Sequence, residues 1–131
     1  MIAIDTNVLL RFVLADPDEP QTAVAERWMR RQAPTGVYVD DIVLCEVEWV
    51  LKSRYRWARL AIADLLDDLS DLEAITIGEP TSVRRALLSF RKGRGDFSDY
   101  LIRERAKRAG AAPLATFDRA LRGEPGVQML G

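Results

Sequence analysis

The chain has no histidine and a single cysteine, Cys45, in 131 residues. These shortages exclude much enzyme chemistry. Without histidine there is no imidazole general base, no Cys–His dyad and no His-ligated zinc. With one thiol there is neither an intrachain disulfide nor a cysteine-rich metal cluster. No apolar run approaches the roughly 20 residues of a membrane-crossing helix. No charged leader precedes the opening MIAID, so no secretory signal is expected and the expected location is the cytoplasm. An excess of one charge is missing too: 19 Lys and Arg face 20 Asp and Glu. Proteins that coat nucleic acid are usually basic, so net charge points to no partner here.

What is present is an ordinary globular composition, 48% apolar, in a length that fits one domain over residues 1–131. Short apolar runs alternate with helical patterns. IAI is a strand almost at the first residue, and Asp5-Thr6-Asn7 leads into NVLLRFVL, which has helical spacing. ADPDEP is a break, and residues 22–31 form a second helix with Val24, Ala25, Trp28 and Met29 on one stripe. GVYV is a short strand or an extended lead-in, and Asp40 or Asp41 caps the helix IVLCEVEWVLKSRY. ARLAIADLLDDL is helical and EAITI a strand. Pro80 opens another helix, RKGRG is a basic loop, and DFSDYLIRERAKRAG is a helix closed by Gly110. PLAT and VQML are the last strands. Brief strands separated by helices predict an α/β fold around a central parallel sheet.

The acids carry the functional signal. Asp5 and Asp118 each follow a strand, where ligands collect in open parallel sheets; each is also a suitable helix cap. On a wheel drawn at about 100° per residue, Glu46 lands between Ile42 and Val50 with Val43 and Trp49 nearby, so it is expected to point into an apolar face. Glu48 points outward with Lys52 four residues on. A glutamate in an apolar stripe needs a cation or a buried arginine. Asp96 and Asp99 lie three residues apart at the start of one helix, as a cap and its reciprocal acid, and Asp99 has Arg103 at i+4 as an alternative surface partner. If these acids converge, their repulsion calls for a divalent cation. An all-oxygen donor set favours Mg²⁺ or Mn²⁺ over zinc.

Four motifs in this order, MIAIDTNVLL, VLCEVEWVL, GDFSDYLIRERA and PLATFDRAL, resemble those of the PIN-domain ribonucleases, in particular the VapC-like toxins of bacterial and archaeal toxin–antitoxin pairs. The resemblance runs from Met1 to about Leu121. It implies a three-layer α/β/α sandwich and a catalytic acid set of Asp5, Glu46, Asp99 and Asp118. The expected metal ligands are Asp5, Asp99 and Asp118, and Asn7, Asp96 and Thr116 are auxiliary groups. It also implies RNA as substrate, a homodimer, and a small antitoxin whose C-terminal segment lies across the site.

The reaction expected of such a site is hydrolysis of an RNA phosphodiester by a Mg²⁺-activated water, with Mn²⁺ able to substitute. Glu46 would orient or deprotonate the water, or hold a second ion. Arg91, Lys92 and Arg94 either contact the RNA backbone or simply solubilise a loop. Two other classes stay open. One is a non-catalytic binding module whose acids are caps and salt-bridge partners. The other is a receiver-type phosphotransfer domain, which wants a lysine that PLATFDRAL does not contain.

Overall fold

A computed structural model describes all residues, 1–131. Every strand pairing in it is parallel, and the fold is α/β with parallel strands flanked by helices. The chain divides into two compact units, Met1–Glu79 and Pro80–Gly131.

In the first unit β1 (Ile2–Ala3), β2 (Val37–Val39) and β3 (Ile75–Ile77) form a sheet in the order β1-β2-β3. Parallel strands cannot be joined by a hairpin. Each return is made by a helix pair: α1 (Thr6–Leu14) with α2 (Pro20–Gln32), then α3 (Asp41–Ser53) with α4 (Arg59–Asp71). Val37 and Val39 are wholly buried, and Ile75 and Ile77 are buried about an exposed Thr76, which is strand alternation. Asp5 caps α1, and Leu9 and Leu10 bury its inner face. Ala15 ends α1 in the left-handed conformation, and the side chain of Asp16 accepts the Asp18 N–H at 2.9 Å in the turn. Pro20 then opens α2, where a missing N–H costs nothing.

α3 departs from the helical-wheel expectation. Its buried side chains are Asp41, Val43, Leu44, Val47, Glu48 and Leu51. Glu48 is 2% exposed, whereas Glu46 is exposed and shares its face with Ile42 and Trp49, at 60% and 67% exposure. The reason lies in composition. Apolar residues run almost all round this helix, so the wheel offers two stripes, and only packing against α1 and α4 selects one. Asp40, not Asp41, is the cap, its Oδ1 accepting the Ile42 N–H at 2.9 Å.

In the second unit α5 (Pro80–Lys92) packs on α6 (Phe97–Arg108), and β4 (Leu114–Thr116) pairs with β5 (Val127–Met129) across a 3-10 turn at Arg119–Leu121. The basic run is not wholly a loop: Arg91 and Lys92 finish α5. The following turn is glycine-rich for a packing reason. A Cβ on Gly93 would strike the Tyr100 hydroxyl, and one on Gly95 would strike Leu121. The buried Arg103 anchors this unit. Its Nε lies 3.2 Å from Glu104 Oε2, one Nη donates to Ser89 Oγ at 2.6 Å, and the other donates to the Pro125 carbonyl at 3.3 Å and lies 3.9 Å from Glu124. Its guanidinium also sits 5.1 Å from the centroid of the Tyr100 ring. Tyr100 in turn donates to Glu124 at 3.0 Å and accepts the Gly95 N–H at 3.1 Å, which fixes the entry to α6.

Deleting one member of a buried ion pair leaves the other without a counter-charge, at about 3–5 kcal/mol. Arg103→Ala is therefore expected to lower the free energy of unfolding by that amount, read as a lower urea midpoint at unchanged m-value, whereas Lys107→Ala, on the exposed face of α6, changes it by under about 0.5 kcal/mol. Equal midpoints for the two variants would remove Arg103 from this role.

Candidate active site

In the first unit Asp5 stands at the carboxyl end of β1 in extended conformation, its Oδ1 accepting the Val8 N–H at 3.0 Å. The cap uses one carboxylate oxygen. The next residue does something the sequence did not suggest: Thr6 Oγ1 donates to Glu46 Oε1 at 2.8 Å. That bond ties α1 to α3 and draws Glu46 to the strand end that carries Asp5. Glu46 is thus positioned by a hydroxyl on an exposed face, and the expected apolar setting belongs to Glu48 instead. Asn7 is exposed and turns to α2, donating to Gln21 Oε1 at 3.3 Å.

In the second unit Asp96 and Asp99 form a reciprocal capping box at the start of α6, with the Asp96 N–H donating to Asp99 Oδ2 at 3.3 Å. Asp99 does not use Arg103 as a partner, because Arg103 is engaged by Glu104, Glu124 and Ser89. Its carboxyl makes a side-chain hydrogen bond with Asp118 instead. Burial pushes the Asp99 carboxyl above its usual range; the bond from the Asp96 N–H opposes this, while the charges of Asp96 and Asp118 add to it. Asp118 is held at the end of β4 by its own turn: its N–H donates to Thr116 Oγ1 at 3.0 Å and its Oδ1 accepts the Ala120 N–H at 2.9 Å. Thr116 therefore sets the backbone of Asp118. Beside α6, Lys92 and Arg94 are exposed and Arg91 is half-buried.

Nowhere do three or more Asp, Glu or Cys side chains gather closely enough to hold a metal ion. The Asp99–Asp118 pair nonetheless has the right donor chemistry for one. Two carboxyls in hydrogen-bond contact share a proton or need a cation between them. Mg²⁺ is commonly held by one or two carboxylates, with water and substrate phosphate completing its shell.

Residues 2–123 match a family model described as the PIN domain. The chain is also 26% identical over 121 residues to a VapC ribonuclease of Aquifex aeolicus (strain VF5), an alignment covering 91% of this chain and 88% of that protein.

A carboxyl whose folded pKa is raised binds its proton more tightly than the unfolded chain does, so metal-free stability falls as pH rises from the unfolded value near 3.8 through the folded one. Asp118→Asn removes part of the cause and leaves burial. The Asp99 carboxyl carbon, followed by NMR without metal, is expected to titrate above 3.8 in the parent and lower in Asp118→Asn. Identical midpoints would show that the two groups do not interact.

Proposed function

Taking as premise that this chain belongs to the PIN-domain family, we propose that it is a divalent-metal-dependent endoribonuclease acting as the toxin of a toxin–antitoxin pair. The observation carrying the reading is the Asp99–Asp118 carboxyl pair, held rigidly by a capping box and by Thr116. Its relative from Aquifex aeolicus is named a ribonuclease, and the family match spans both units. Residues 1–131 then act as one nuclease domain.

Asp5, Asp99 and Asp118 are the proposed holders of Mg²⁺, for which Mn²⁺ can substitute. Such an ion supplies charge neutralisation at a phosphate and a lowered water pKa. The chain's own groups do the rest. Glu46, oriented by Thr6, accepts the proton of the attacking water. The water oxygen bonds to phosphorus, the P–O3′ bond breaks, and the 3′ oxygen takes a proton from solvent, leaving a 5′-phosphate and a 3′-hydroxyl. Asn7 and Asp96 are auxiliary groups, and Lys92 and Arg94, both exposed, with Arg91 offer contacts to the RNA backbone. The proposed protein partners are a second copy of the chain and a small antitoxin, in a larger complex. The exposed apolar pair Ile42 and Trp49 on α3 supports association, and an antitoxin arginine would complement the acids. No helix is long and apolar enough to cross a membrane, and the expected site of action is the cytoplasm.

A non-catalytic binding module is the second reading, favoured by one observation: Asp5, Asp96 and Asp118 each cap a helix or turn, and no three acids cluster. Metal affinity separates the two. The nuclease is expected to bind Mn²⁺ in a calorimeter and to lose most of that affinity in Asp99→Asn.

Partner-free protein incubated with total RNA and Mg²⁺ is expected to cut, to stop in EDTA, and to slow about 100-fold or more in Asp5→Asn. Thr6→Val, which frees Glu46, is expected to slow cutting about 10–100-fold while leaving Mn²⁺ affinity unchanged. Metal-independent cutting, or full activity in Asp5→Asn, would overturn the reading.

A further inference from the structure

A cavity of about 560 Å³ opens between α1 and α2 immediately beside Asp5. That volume suits a small organic ligand. Its walls combine three chemistries. Val8, Val24, Ala25 and the half-exposed indole of Trp28 form an apolar surface. Asn7 and Gln21 are amides: Asn7 Nδ2 at 3.3 Å and Arg11 Nε at 3.0 Å both donate to Gln21 Oε1. The Asn7 carbonyl and the Gln21 NH₂ thereby keep an acceptor and a donor for a ligand. Two guanidiniums complete the wall. Arg11 is shared with Glu19 at 3.9 Å, whereas Arg31 is exposed and has no acidic partner.

We propose that this cavity is a nucleotide subsite: an unpaired base lies against Trp28, its polar edge meets Asn7 and Gln21, and its phosphate meets Arg31. The proposal rests on the nuclease reading for its biological use. An indole face and a planar guanidinium are the groups that take splayed-out bases and phosphates of single-stranded RNA. Asp5 lies on the cavity wall. A nucleotide held there is covalently continuous with the phosphodiester brought to Asp5, so the subsite selects the residue next to the cut. Trp28, read from the helical pattern as part of an apolar stripe, is half-exposed and lines the cavity, and so has a second use as a surface for a ligand.

The test follows the Trp28 indole ¹H–¹⁵N resonance of the whole chain in EDTA, assigned with Trp28→Phe, during titration with 5′-AMP, 5′-UMP or ribose 5-phosphate. The nucleotides are expected to shift it saturably and ribose 5-phosphate several-fold less. Arg31→Ala is expected to raise Kd for the nucleotides about 10-fold and to leave adenosine binding unchanged. Arg31 is exposed, so this variant does not depend on tolerance of a core change. No shift at Trp28, while the same preparation cleaves RNA with Mg²⁺, overturns the subsite and leaves the nuclease. A saturable shift without metal-dependent cleavage keeps the subsite and removes the nuclease. Saturable binding of a short Leu- and Glu-rich peptide, with no nucleotide response, overturns it in favour of a protein occupant.

Discussion

A parallel strand ends on the same edge of its sheet as its neighbours, and each return path is a helix that must be capped. That constraint organises the first unit. β1 ends in Asp5, β2 in Asp40 and β3 in Gly78–Glu79, so polar starts of α1 and α3 gather where the strands stop. Gly78 shows how tight this edge is, since a Cβ there would lie 2.5 Å from the Tyr38 hydroxyl. The hydroxyl is itself under the influence of the acids: burial, then Asp40 and Asp41, push its pKa up. A single topological rule thus concentrates negative charge at one rim, before any question of chemistry arises.

Capping and ligand binding are often set against each other as explanations of an acid. Here they are compatible. Asp5 and Asp118 each commit Oδ1 to a backbone N–H, and Asp99 commits Oδ2 to the Asp96 N–H. In each the cap immobilises the side chain and leaves further acceptor capacity on the carboxylate. Thr116 and Thr6 extend the same logic by one residue. One fixes the backbone that carries Asp118, and the other fixes the Glu46 carboxylate itself. Rigid carboxylates lose little entropy when a ligand engages them.

Most of the fold was legible from the sequence because its signals are local. Strand ends at Asp5 and Asp118, the helix start at Pro80, the Asp96–Asp99 box and the stop at Gly110 depend on neighbours a few residues away. What was illegible depends on distant packing. Apolar residues run almost all round α3, so Glu46 and Glu48 exchange faces once α1 and α4 choose the stripe. Arg103 at i+4 from Asp99 looked like a surface partner. Ser89 from α5, with Glu124 and Pro125 beyond β4, draws it inward, and no local spacing announces that. RKGRG read only as a basic loop, yet its glycines are where Tyr100 and Leu121 leave no room for a Cβ.

The interior position of Arg103 also bears on the acid pair. Had its guanidinium reached Asp99, the carboxylate would have been neutralised and its pKa pulled down. Because Arg103 is spent on Glu104 and Glu124, Asp99 faces Asp118 with only the start of α6 and its own cap to offset the repulsion. The chain has no histidine to serve as a neutral-pH base, and a carboxylate is far too weak a base to deprotonate bulk water. Acid-only hydrolysis of a phosphodiester becomes accessible when a bound divalent cation lowers the pKa of that water. Composition and the geometry of the Asp99–Asp118 pair therefore agree with the proposed reading, in which a divalent cation offsets that pair's repulsion.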